Sequence, residues 1–238
     1  MNGVIAGITV RGMLGRRRAL LLLLLPLALV GLAVALRLTG NATEEITAVL
    51  LQRFGIATLL PLVALIAASG VLGTEIDDGS FVFLLSKPIS RPVILNTKLA
   101  VAAGLVALFA AVPVLVAGLV MVGTEGGLAL GFFAGALAGS AAYGAIFVLI
   151  NVLTRHAVVA GLVYALIWET LVGGFIPGAR QLSVQQWALS VVDWIATSPA
   201  VHAEVALMAA LGLLAVATVG ATVLAGQRLR SLSIAGEA

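Results

Sequence analysis

The stretch TEIDDGSFVFLLSKPISRPVILNTK, residues 74–98, decides how the rest of the sequence is read. It is one of two long breaks between apolar runs, and it is too polar to sit in lipid. Acids and a glycine open it (Glu75, Asp77, Asp78, Gly79), and a short apolar block follows from Phe81 to Leu85. Two prolines (Pro88, Pro92) and three cations (Lys87, Arg91, Lys98) complete it. Gly79 permits a sharp turn, and Ser80 is placed to cap a short helix ending near Leu85. Pro88 stops that helix, and Ser90 with Pro92 starts the next one. The product is a two-turn helix along the membrane surface showing Phe81, Phe83 and Leu84. Such a knob fits a groove on another protein, or dips its aromatic rings into lipid headgroups.

The sequence around it is membrane-like. Hydrophobic residues make up 62% and charged residues 10%, with a mean hydropathy of +1.21. A soluble domain carries roughly a quarter charged residues. Apolar runs at 19–36, 54–73, 99–122, 128–153, 157–176 and 205–225 match the roughly 20 residues that cross a bilayer as helix. Lipid offers no partners for open strand edges, so the expected fold is an all-α integral membrane protein with six transmembrane helices. Pro26, Pro61 and Pro113 fall inside three spans and predict kinks there. The whole of 1–238 reads as one transmembrane domain. It carries an interfacial segment at 1–18, a cytoplasmic segment at 74–98 and an outer interfacial segment at 177–204.

Orientation follows from the cations. With the N-terminus inside, the inner face holds ten of the thirteen Lys and Arg residues, and the outer face holds Arg37, Arg53 and Arg180. That bias predicts cytoplasmic termini and a cytoplasmic 74–98 segment. The Arg16–Arg18 cluster before a leucine run also has the form of a signal-peptide n-region. The run at 19–36 is long for such a signal, however, and no small-x-small site follows it.

Three further features stand out. Gly131, Gly135 and Gly139 form a small-residue ridge on span four, suited to close helix packing within the chain or to a dimer face. Glu169 is the only acid deep in an apolar run, about 20 Å up span five. Gly173, Gly174 and Pro177 then break that helix. Beyond them Val184, Trp187, Ala188, Val191, Trp194 and Ile195 recur at helical spacing opposite Gln185, Gln186, Ser190, Asp193 and Thr197. This pattern predicts an amphipathic helix at the outer interface, anchored by the two tryptophans and capped by Ser183.

Catalytic patterns are scarce. Without cysteine there is neither a disulfide nor a thiolate metal site, and no GxxxxGK[ST] phosphate loop is present. Ser140 lies deep, but His156 and His202 fall at span ends on opposite sides, which disfavours an intramembrane serine protease. Glu44 and Glu45 read as a solvated helix start after the cap Thr43. The charge pattern offers no nucleic-acid surface.

The 75–98 stretch resembles the cytoplasmic loop between spans two and three of type-2 permeases of ATP-binding-cassette (ABC) transporters. The matching positions are Glu75, Gly79, Ser80, Leu84, Leu85, Ser86, Pro88, Ile89, Ser90, Arg91 and Lys98. WETLVGGFIPGARQLSVQQWA (168–188) is similar to the run after span five in that family, and RGMLGRRRALLLLL (11–24) to its basic N-terminal lead. The resemblance implies a transporter permease that binds no cofactor itself.

By the same resemblance the direction of transport is export, across a bacterial plasma membrane. Two separate ATPase subunits would supply ATP and magnesium chemistry, and a second copy or a sister permease would complete the pore. Glu75, Gly79, Ser80, Phe81, Phe83, Leu84, Leu85, Ser86, Lys87, Pro88 and Arg91 would form the docking surface for the ATPase. Glu169, Gly173, Gly174 and Pro177 are the candidates for a translocation path or outer gate, with Glu169 alternatively tying span five to its neighbours. From the residues alone, an ATPase-independent carrier or a membrane scaffold is the other reading. A cysteine placed at Ser86 should react with a membrane-impermeant maleimide only after cells are opened. Labelling in intact cells would reverse the assigned topology.

Overall fold

The computed structural model describes Gly7 and residues 16–73, 91–154, 156–172 and 180–234. Among these residues there are helices and turns and no strand. The helices are α1 (Arg16–Leu38), α2 (44–73), α3 (91–122), α4 (Leu128–Leu153), α5 (157–172), α6 (Val184–Ile195) and α7 (Leu207–Ile234). Among the described residues four stretches are long and apolar enough to cross a bilayer: Glu44–Val71, Val93–Val122, Glu125–Leu153 and Leu207–Leu229. Leu22–Leu38 and Ala157–Glu169 are shorter apolar helices.

Two helices start well before their apolar runs. α2 begins at Glu44, ten residues ahead of the run at 54–73, because Thr43 caps it and no glycine or proline interrupts residues 44–54. The Thr43 hydroxyl accepts the Ile46 N–H at 3.3 Å, as its position before two acids suggests. α3 starts at Arg91, with Pro92 next, where a proline's missing N–H costs nothing.

The internal prolines are absorbed in two ways. α1 runs as an α-helix through Pro26. In α2 and α3 a π-helical stretch ends two residues before the proline: Leu51–Leu59 before Pro61, and Ala107–Ala111 before Pro113. There the Leu60 N–H bonds Gly55 O and the Val112 N–H bonds Ala107 O, five residues back. The wider turn makes room where the ring would meet the carbonyl four residues earlier.

α4 is the centre of the bundle, packed by α2, α3, α5, α6 and α7. Its buried face includes Phe132, Ala136, Tyr143 and Phe147. α1 lies outside, against the second half of α3, through Leu22, Pro26, Leu29 and Ala33. These four recur at three- and four-residue intervals and so form one stripe, while Leu20, Leu24 and Leu27 face outward.

The glycine ridge of α4 is an internal packing surface. A Cβ at Gly135 would stand 2.7 Å from both Ala188 O and Val192 Cγ2, and one at Gly131 would stand 3.1 Å from Val192 O. α6 therefore rests backbone to backbone on α4. This corrects two details of the amphipathic pattern. Trp187 is buried, and its indole N–H donates to Gln181 O at 2.8 Å, whereas Trp194 is 72% exposed, so the two tryptophans are not a matched pair of anchors. Ser190, assigned by spacing to the polar face, is buried, and its hydroxyl is shared between Gln186 O and Val205 O. The reason is that α6 is covered on two sides, by α4 and α7, so a single apolar stripe does not describe it.

Gly135→Val should lower the melting temperature in detergent, since overpacking against a backbone carbonyl costs about 1–3 kcal/mol. Gly212, on α7, has nothing within 4 Å of its missing Cβ. Gly212→Ala should therefore hold or raise that temperature, by up to about 1 kcal/mol of helix propensity.

Candidate functional site

Two ends of the bundle are defined by bonds between distant segments. At one end the α3–α4 hairpin turns through Gly123, Gly126 and Gly127, all at positive φ. Its Gly126 carbonyl accepts the Thr197 N–H at 3.0 Å, just past the end of α6. Beside it the Glu44 carboxylate accepts the Ser198 hydroxyl at 2.6 Å. Arg37, at the end of α1, donates to Met121 O at 2.9 Å, in the last turn of α3. At the opposite end Lys98 of α3 donates to Val71 O at 2.7 Å, in the last described turn of α2.

Glu169 sits between these ends, in the π-helical part of α5 (Tyr164–Val172), and is 3% exposed. Its Oε1 accepts the Tyr164 hydroxyl at 3.1 Å and the Val184 N–H at 3.2 Å. Its Oε2 accepts the Ser183 hydroxyl and, at 3.3 Å, the Gln185 N–H. The carboxylate thus occupies the N-terminus of α6, from fifteen residues away in sequence. A helix start presents N–H groups without partners and a positive dipole end, and an acid answers both. The sequence predicts that Ser183 caps α6 with its own oxygen. It stands at the cap position but spends its hydroxyl on Glu169 and makes no side-chain cap of its own. A carboxylate left unpaired at this depth would cost about 2.5–3.5 kcal/mol on insertion scales, which explains why every one of these donors converges on it.

An aromatic ladder leads from the core to this acid. Tyr143 and Phe147 of α4 stack at 6.0 Å between centroids, and Phe147 meets Tyr164 edge-on at 5.9 Å. The Tyr143 hydroxyl is fully buried and has no hydrogen-bond partner among the described residues. Ser140, one turn before it, donates to Leu137 O at 2.6 Å within its own helix.

Of the residues singled out from the sequence, Glu169 is placed in full, and Arg91 is placed as the first residue of α3. Glu75, Gly79, Ser80, Phe81, Phe83, Leu84, Leu85, Ser86, Lys87 and Pro88 lie outside the described residues, as do Gly173, Gly174 and Pro177. In the sequence Arg37 and Lys98 are cations counted on opposite sides of the membrane, and Lys98 is also the last position of the loop resemblance. In the structure both end on main-chain carbonyls of other helices, and that reach has no local signature.

Glu169→Ala should destabilise the protein by about 2 kcal/mol or more, because it strands buried donors. Hydrogen exchange at the Val184 and Gln185 amides should speed up with it, while Glu169→Gln, keeping one acceptor oxygen, should fall between. Glu45→Ala, on an exposed residue, should stay within about 0.5 kcal/mol of the parent. Unchanged exchange at Val184 and Gln185 in Glu169→Ala would refute the cap.

No curated protein matches the sequence. The model of the family described as ABC-2 family transporter protein matches residues 13–188, which takes in α1 to α5, the 74–98 segment and the start of α6. The chain belongs to the ABC-2 transporter family and is a membrane permease component of an ABC transporter.

Proposed function

We propose that this permease is the membrane half of an exporter in a bacterial plasma membrane. Six spans, α1 to α5 and α7, cross the bilayer, and both termini and the 74–98 segment face the cytoplasm. Two ATPase subunits, which carry the ATP and magnesium, grip the short helix around Gly79–Leu85 on each of two permeases, this chain and a second copy or a sister. Closure of the ATPases on ATP pushes that handle and rocks the spans, opening a path between the permeases. Glu169 and the break at Gly173, Gly174 and Pro177 line or gate the outer end of the path.

The family match, whose span includes the handle, is the observation that carries this reading. The ten-to-three division of cations supports the orientation. The cap at α6 supports the gate, since an acid joining α5 to α6 would let a shift in one helix release the start of the other.

Co-purification tests it. The intact permease should bring down an ABC ATPase, and replacing both Phe81 and Phe83 by Asp should abolish capture while leaving membrane insertion intact. Capture that survives the double substitution would remove the docking role from the aromatic pair. A permease that brings down no ATPase would favour an independent carrier or scaffold. In the same complex Glu169→Gln should lose stimulation of ATP hydrolysis, and full stimulation would retire the gate.

A further inference from the structure

Lys98 is 1% exposed, about 10 Å along α3 from its first residue. Its ammonium reaches Val71 O at 2.7 Å, across 27 positions of sequence. Val71 lies in the π-helical stretch Ser69–Gly73 of α2. A charge-assisted bond of this length is among the stronger ones. The neighbouring Thr97 is also buried, so the contact lies inside the α2–α3 packing rather than at its edge. The bond therefore joins α2 and α3 within a few residues of where each runs into the 74–90 segment of the sequence.

We propose that Lys98 is a positioning residue that fastens the inner end of α2 to α3, so that a displacement of the 74–90 segment moves both helices as one unit. Without the fastener the segment could swing either helix alone, and force would be lost before it reached α4. The role rests on the permease reading for its function, but the fastening itself does not depend on any ATPase. A methionine at this position would fill similar space and remain apolar. It would leave the Val71 carbonyl without the ammonium, which separates fastening from mere packing.

Two measurements on the full chain in lipid nanodiscs decide it. Spin labels at Ser69 and Val93 should give a narrow distance distribution in the parent. Lys98→Met should broaden it at least twofold, and Lys98→Arg, which keeps a donor, should recover most of the narrowing. An unchanged distribution in Lys98→Met would overturn the proposal, whatever the ATPase does. With the captured ATPase, a cysteine at Ala200 should change its maleimide reactivity on addition of ATP. Lys98→Met should reduce that ATP-dependent change at least fivefold while ATP hydrolysis stays within twofold of the parent. A full ATP response in Lys98→Met would also overturn it. Failure of the parent to capture an ATPase would fall on the permease reading alone, and the distance measurement would still decide the role of Lys98.

Discussion

A helix in an apolar medium must find partners for the N–H groups at its start and the carbonyls at its end, because lipid supplies none. Much of this structure answers that constraint. Arg37 donates to the last turn of α3, Lys98 to the last described turn of α2, and Glu169 accepts from the first turn of α6. In each case the charge comes from a different helix, and for Arg37 and Glu169 its sign opposes the dipole it meets. The same three contacts therefore satisfy the backbone and set which helices stand side by side. A buried charge that looks costly in isolation is, in this setting, the tie between two segments.

The ties work because the helices they join are held close by α4. Gly131 and Gly135 bring the backbone of α6 against it, and this puts the start of α6 where a carboxylate on α5 can reach. The Tyr143–Phe147–Tyr164 ladder fills the space between α4 and α5 on the way to that carboxylate. Against this close packing stand the π-helical turns of α2, α3 and α5. Two of them precede prolines, one contains Val71, and the one in α5 carries Glu169. π-turns in longer helices often mark functional places, and here they fall where a helix is bonded to its neighbour or interrupted by proline.

The helices were legible in the sequence because their apolar runs were long enough to need no tertiary information. The hairpin at 123–127 was legible for a similar reason, since five residues with three glycines leave few other choices. Glu169 could be found as a lone acid in YALIWETLV, but most of its partners could not. Three of them lie fourteen to sixteen positions later, beyond Gly173 and Pro177 in the sequence, and nothing local says that the chain returns there. Lys98 was visible as a cation near a span end, and its burial against Val71 was not, because the acceptor is a main-chain carbonyl that carries no sequence signal. α6 misled for a related reason. Its stripe of Val184, Trp187 and Val191 reads as one-sided, whereas Ser190 is buried by finding a carbonyl just before α7, at Val205.

The capping of α6 also bears on how Glu169 could serve both as a structural tie and as a gate. Hydrogen bonds to a charged group contribute about 1.5–3 kcal/mol each, so releasing the carboxylate with nothing in exchange would be prohibitive for a marginally stable protein. A moving part held by such a cap changes position only if the donors exchange partners during the motion. A cap with several donors on one carboxylate can lose them in sequence, each step costing a fraction of the whole. In that sense a firm tie is compatible with the proposed gate: the bonds that fix α6 would also set the order of any release.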